Sequence, residues 1–99
     1  MITGTIRYWA AAKDAAGVAE ERWQLGSDTD PAHPAAVSLA ELLADVRARH
    51  ADNSRFLRVL DRSSVLVDER AAGTRAPEDV ILTEASVVEV LPPFAGGCL

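Results

Sequence analysis

The chain has 99 residues, 48% of them hydrophobic and 25% charged, which is enough for one globular domain with a modest core and too little for two. A net charge of −5 with scattered basic residues argues against nucleic acid, whose phosphates need a clustered positive field, and no apolar run approaches the roughly 18 residues that suggest a membrane span. The single cysteine, Cys98, can close no internal disulfide and build no thiolate cluster, and His33 and His50 stand alone as surface histidines, so no metal site is expected.

The start, Met1-Ile2-Thr3-Gly4-Thr5, has neither the basic opening nor the apolar stretch of a secretion signal, so the expected location is the cytoplasm. Ile2, Ile6 and Tyr8 alternate with Thr3, Thr5, Arg7 and Trp9, the period of two that predicts a strand over 2–9 with one buried face. Ala10 to Ala16 is alanine-rich and predicts a short helix, with Gly17 at the position where a left-handed residue commonly ends one. Glu21, Trp23 and Leu25 recur at period two, which predicts a second strand. Gly26 to Ala36 carries Asp28, Asp30, Pro31 and Pro34 and reads as an exposed polar loop.

Ser38 and Glu41 form the S-x-x-E capping box, and Val37 is placed to pack on Leu42 as a hydrophobic staple. A helix is predicted from there, with Leu39, Leu42, Leu43 and Val46 on one stripe and Arg47, Arg49 and His50 in the last turn, where cations offset the helix dipole. Asn53 or Ser54 can cap a further turn or two carrying Phe56, Leu57 and Leu60. Arg47, Arg49, Arg55, Arg58 and Arg62 read together as a solvated helical face, and the two tryptophans and Phe56 as core. Ser64 to Asp68 predicts a third strand, Glu69 to Pro77 a turn-rich connection, and Val80-Ile81-Leu82 a short extended piece. Val87-Val88-Glu89-Val90-Leu91 is nearly all apolar, as in a central strand buried on both faces, and Pro92-Pro93 stops it because neither proline donates a ladder hydrogen bond. These elements predict an α+β domain with a helix across one face of a mixed sheet, spanning residues 1–91, followed by a flexible tail over 92–99.

Gly96 and Gly97 make that tail thin. Without a Cβ, it can enter a narrow active site and let foreign walls approach its backbone, so it looks like a substrate. Cys98 and Leu99 follow, however, and hold the Gly97 carbonyl in a peptide bond.

Six stretches, in order, carry a resemblance: Ile6–Ala10 (I-R-Y-W-A), Ala15–Val18 (A-A-G-V), Ser38–Leu43 (S-L-A-E-L-L), Arg47–His50 (R-A-R-H), Ser64–Val67 (S-V-L-V) and Val90–Gly97 (V-L-P-P-F-A-G-G). Together they resemble the small subunit of molybdopterin synthase and the ubiquitin-like sulfur-carrier proteins of β-grasp fold. The resemblance implies a mixed four- to five-stranded sheet with one main helix packed across it, and a protein co-substrate with no bound cofactor rather than an enzyme. It implies that a ubiquitin-activating-like enzyme adenylates the Gly97 carboxylate with ATP, and that a sulfur donor then displaces AMP to leave a thiocarboxylate. Gly97 would carry the sulfur, Gly96 would keep the passage narrow, Phe94 and Pro93 would guide the exit, and Ala95 would bind the partner with them, apolar sheet surface docking it. The acceptor would be a molybdopterin synthase large subunit or a cysteine-synthase-like enzyme. Two departures stand out: Thr83-Glu84-Ala85-Ser86 replaces the Gly-Asp turn frequent in relatives, and Cys98-Leu99 follows the diglycine. The second requires cleavage between Gly97 and Cys98, the work of a zinc metallopeptidase of the kind that trims ubiquitin-like tails. Conjugation of Gly97 to lysines, as in a protein modifier, and an unprocessed β-grasp interaction module are the alternatives.

Overall fold

The computed structural model describes residues 1–26, 37–72 and 75–93. Strand β1, Ile2–Tyr8, shows the predicted alternation: Gly4, Ile6 and Tyr8 are buried, while Arg7 is exposed. Helix α1, Ala10–Ala16, ends at Gly17, whose φ of 82° is the left-handed conformation that residue was chosen for; its N–H donates to the Lys13 carbonyl. Strand β2, Glu20–Leu25, returns antiparallel to β1, from Ile2 opposite Leu25 to Arg7 opposite Glu20.

A two-residue strand β3, Val37–Ser38, was not legible as a strand, because Ser38 is at once its last residue and the cap of helix α2, Leu39–Arg49. The capping box is complete: Ser38 Oγ accepts from the Glu41 N–H at 3.2 Å and Glu41 Oε2 from the Ser38 N–H at 3.1 Å. Helix α2 buries Leu39, Leu42 and Val46 and leaves Leu43 half-buried. The further turn or two is in fact a nine-residue helix, α3, Ser54–Arg62. Asn53 stabilises both ends of that junction, accepting the Phe56 N–H at 3.0 Å and donating Nδ2–H to the Ala15 carbonyl at 2.7 Å, which ties α3 to α1.

Strand β4, Ser64–Val67, is followed by β5, Arg70–Ala71, where the sequence predicted only a turn. Strand β6, Ile81–Leu82, pairs with β3 in a separate two-stranded sheet, and β7, Val87–Leu91, closes the fold. The five-stranded sheet has the order β2-β1-β7-β4-β5; β1 and β7 are parallel and all other neighbours antiparallel. This is the α+β, β-grasp arrangement, with α2 and α3 over one face. Trp23, Tyr8, Phe56, Ile6, Leu39 and Leu42 are the largest side chains sealed between the layers, each contributing about 1.5–3 kcal/mol of transfer free energy where aliphatic or phenyl.

Three sequence expectations need correction. Strand β7 is central, yet only Val88 and Val90 are fully buried; Val87, Glu89 and Leu91 point to the other face and are half-buried, because the helices cover one side only. Trp23 and Phe56 are core, but Trp9 is 46% exposed, since the chain turns there into α1. His50 is no isolated surface residue. Its Nε2–H donates to Glu21 Oε1 at 2.8 Å and its ring lies 4.4 Å from that of Phe56, so α2 ends by docking onto β2.

The turn over Thr83–Ser86 is tightly held. The Ala85 N–H donates to the Thr3 carbonyl at 2.7 Å, Thr83 N–H to Ser86 Oγ at 2.9 Å, and Glu84 Oε2 accepts from both Thr3 N–H and Thr3 Oγ1–H at 3.0 and 2.8 Å. Ala85 itself has φ 68°, where its Cβ crowds the following carbonyl. Replacing Ala85 with Gly is expected to raise stability by about 0.5–1 kcal/mol, the relieved strain outweighing the extra unfolded-state freedom. Thermal melting checks this, and a lower Tm for Ala85→Gly would contradict it.

Candidate functional site

Strand β7 sets the site. It lies between β1 and β4, so its direction and register are fixed on both edges, and it carries the chain out of the sheet at Leu91. Pro92 and Pro93 follow, half-buried and exposed respectively, and neither can extend a ladder. They form one end of an open groove of about 290 Å³ between α1 and α3, lined by Ala11, Val59 and the guanidinium-bearing Arg55, Arg58 and Arg62. Of the expected site residues, Pro93 is therefore placed beside this groove. Phe94, Ala95, Gly96, Gly97 and Cys98 lie outside the described residues.

The five-arginine group divides in two. Arg47 pairs with Asp61, clamping α2 to α3, and Arg49 pairs with Asp45 at 2.8 Å while donating to the Arg22 carbonyl at 2.8 Å. Arg55, Arg58 and Arg62 are exposed, with no carboxylate partner among the described residues. Their i, i+3, i+7 spacing in α3 was the signal for this; the sequence alone did not reveal that the prolines of the exit lie against the same face.

The second surface is the helix-free side of the sheet. Register places Thr5 beside Val87, and Arg7 and Leu66 on either side of Glu89, so these share the face opposite Ile6, Tyr8, Val88 and Val90. Leu66, Val87 and Leu91 are half-buried there, and the indole Nε1–H of the exposed Trp9 donates to Glu89 Oε2 at 3.0 Å at its margin. It is an apolar strip with a charged centre, open to a partner. Among the described residues no group of three His, Cys, Asp or Glu side chains is placed to hold a metal ion, and no helix is long and apolar enough to cross a membrane.

One titrating cluster lies elsewhere, inside the domain. Glu21 Oε1 accepts from Tyr8 Oη–H at 2.6 Å as well as from His50. Burial, followed by the bond to Glu21, pushes the Tyr8 phenol far up, so it stays a neutral donor. Partial burial works to raise the Glu21 pKa, but the hydrogen bonds from Tyr8 and His50 and the electrostatic influence of His50 and Arg49 outweigh it and hold the carboxyl below its ordinary value.

The family model described as ThiS family matches residues 6–97. The chain belongs to the ThiS family. Its match stops at Gly97, with Cys98 and Leu99 beyond it. Among solved structures, this ThiS-family protein is similar to a putative molybdopterin converting factor subunit 1 from Pyrococcus furiosus, at 22% identity over 94% of this chain and 99% of that one, with a TM-score of 0.68. It is also similar to the protein SAMP1 from Haloferax volcanii, at 17% identity, 96% and 99% coverage and a TM-score of 0.69. A third is small archaeal modifier protein 1 from Methanosarcina acetivorans, at 14% identity, 98% coverage of both chains and a TM-score of 0.70. At these identities the structural likeness establishes the β-grasp fold. No curated protein matches the chain significantly. As a ThiS-family member the chain is a ubiquitin-like sulfur carrier or modifier rather than an enzyme; carriers of this kind generally partner with an adenylating enzyme and a sulfur-accepting enzyme.

Proposed function

We propose that this protein carries sulfur as a thiocarboxylate on Gly97, after hydrolysis of the Gly97–Cys98 peptide bond has freed that carboxylate. A carboxylate is a poor electrophile. Attack of its oxygen on ATP, with loss of pyrophosphate, makes a mixed anhydride with AMP, and sulfide supplied by a donor then displaces AMP to leave –COSH. The domain brings address and grip: Trp9, Leu66, Val87 and Leu91 form the face for the partner, and Pro92-Pro93 direct the tail away from the sheet into it. Folded-domain contacts must carry most of the binding, since ordering a glycine tail costs free energy. The carrying observation is the family match that runs to Gly97 and ends there. A zinc metallopeptidase is the proposed agent of cleavage, with the sulfur going to a molybdopterin-type or cysteine-synthase-type acceptor in the cytoplasm.

The test is intact mass. A chain ending at Gly97, incubated with ATP, a ubiquitin-activating-type enzyme and sulfide, is expected to exchange one oxygen for sulfur, and the full-length chain is expected to do so only after losing Cys98 and Leu99. Sulfur gained by the uncut chain, or none gained by the Gly97-ending chain, would sink the proposal. The likeness to small archaeal modifier protein 1 from Methanosarcina acetivorans supports a second reading, conjugation of Gly97 to lysines. Lysine-linked products in place of the thiocarboxylate would decide for it.

A further inference from the structure

The three unpaired arginines of α3 call for a partner. In a chain with 15 acidic and 10 basic residues, Arg55, Arg58 and Arg62 gather three positive charges on one helical face without a carboxylate among the described residues to offset them. Arg47 and Arg49, on the neighbouring helix, are both paired, whereas, among the described residues, the three on α3 are not. Between the guanidiniums lies an apolar floor of Ala11, Val59 and the two exit prolines. An occupant must therefore alternate acid and apolar side chains: carboxylates fit the planar guanidinium fork, and an aliphatic or aromatic group fills the floor.

Position says who brings that occupant. Gly97 is four residues beyond Pro93, at most about 14 Å of fully extended chain. Any enzyme that acts on Gly97 must hold the mouth of its channel within that distance of the groove. We infer that the α1–α3 groove seats an acidic, apolar-anchored segment on the channel rim of the adenylating enzyme, the first partner to take the freed tail; this rests on the sulfur-carrier reading above. The contact holds the domain while the tail is threaded, and its charge steers the encounter at low ionic strength.

Adenylation kinetics of the Gly97-ending chain, followed as pyrophosphate release at low and moderate salt, test this. The triple variant R55E/R58E/R62E is expected to raise KM for the carrier about 30-fold, leave kcat within about two-fold, and lose the parent's salt sensitivity. R55K/R58K/R62K, which keeps the charge, is expected to recover most of the affinity. All three side chains are exposed, so an unchanged Tm shows that the variants are folded. A parent that is adenylated with the same KM and salt dependence as the charge-reversed variant overturns this inference alone. A parent that is never adenylated overturns the sulfur-carrier reading, and this inference with it. Binding of an RNA homopolymer by the parent but not the variant, with KM unchanged, also overturns it and assigns the arginines to phosphate.

Discussion

Substituting Gly4 by Ala is expected to cost roughly 3 kcal/mol or more, at the upper end of what one extra methyl does in a packed interior. Gly4 stands opposite Trp23 in the β1–β2 pair, and a Cβ there would overlap the indole and the Ser86 carbonyl at once. Neither can yield cheaply. Trp23 is fully buried with its Nε1–H on the Thr5 carbonyl at 3.2 Å, and Ser86 O accepts the Thr5 N–H at 3.1 Å in the turn that also grips Thr3. The requirement is for space, not for an unusual backbone conformation. In a domain of this size the expected loss lowers Tm by roughly 12 °C or more. Calorimetry or far-UV melting of Gly4→Ala measures it, and a smaller ring, in G4A/W23F, should recover part of the loss because the two positions are directly coupled. A Gly4→Ala protein that melts within a degree or two of the parent would refute the clash.

Glu21→Leu is expected to destabilise the fold by about 2 kcal/mol near neutral pH, since it strands two enclosed donors, Tyr8 Oη–H and His50 Nε2–H, on an apolar side chain. Glu21→Gln keeps an acceptor and should cost less. The pH dependence has a definite sign. With its folded pKa below the ordinary 4.5, Glu21 stabilises fully above about pH 4.5, and that stabilisation drains away as pH falls through the folded value. Glu84, lowered by its hydrogen bonds from Thr3, acts in the same direction. Urea unfolding between pH 7 and pH 3 should therefore show a steep acid limb in the parent and a flatter one in Glu21→Gln. Parallel curves for the two proteins would dismiss Glu21 as a source of that slope.

Local signals carried much of the fold. The capping box at Ser38, the left-handed Gly17, the alternation in β1 and the proline stop after Leu91 each act within a few residues, and each stands where the sequence placed it. What escaped depends on contacts made far along the chain. Strands β3 and β5 are two residues each, too short to show a period, and exist because a partner strand supplies their hydrogen bonds; β6, equally short, lies in the extended piece expected over Val80–Leu82. His50 reads as a solitary surface side chain until β2 brings Glu21 to it from 29 residues away. The groove beside the exit prolines was not legible in the sequence, because α1, α3 and Pro92-Pro93 come together only in three dimensions.

The parallel pairing of β1 with β7 has a mechanical consequence. The leading end of β1 and the trailing end of β7 lie at opposite ends of the same pair of strands, so traction applied to the two ends loads their hydrogen bonds together, in shear, and cannot peel them off one after another. The strand that bears the tail is also gripped along its other margin by β4. In single-molecule stretching, the domain should therefore yield in one abrupt rupture at high force.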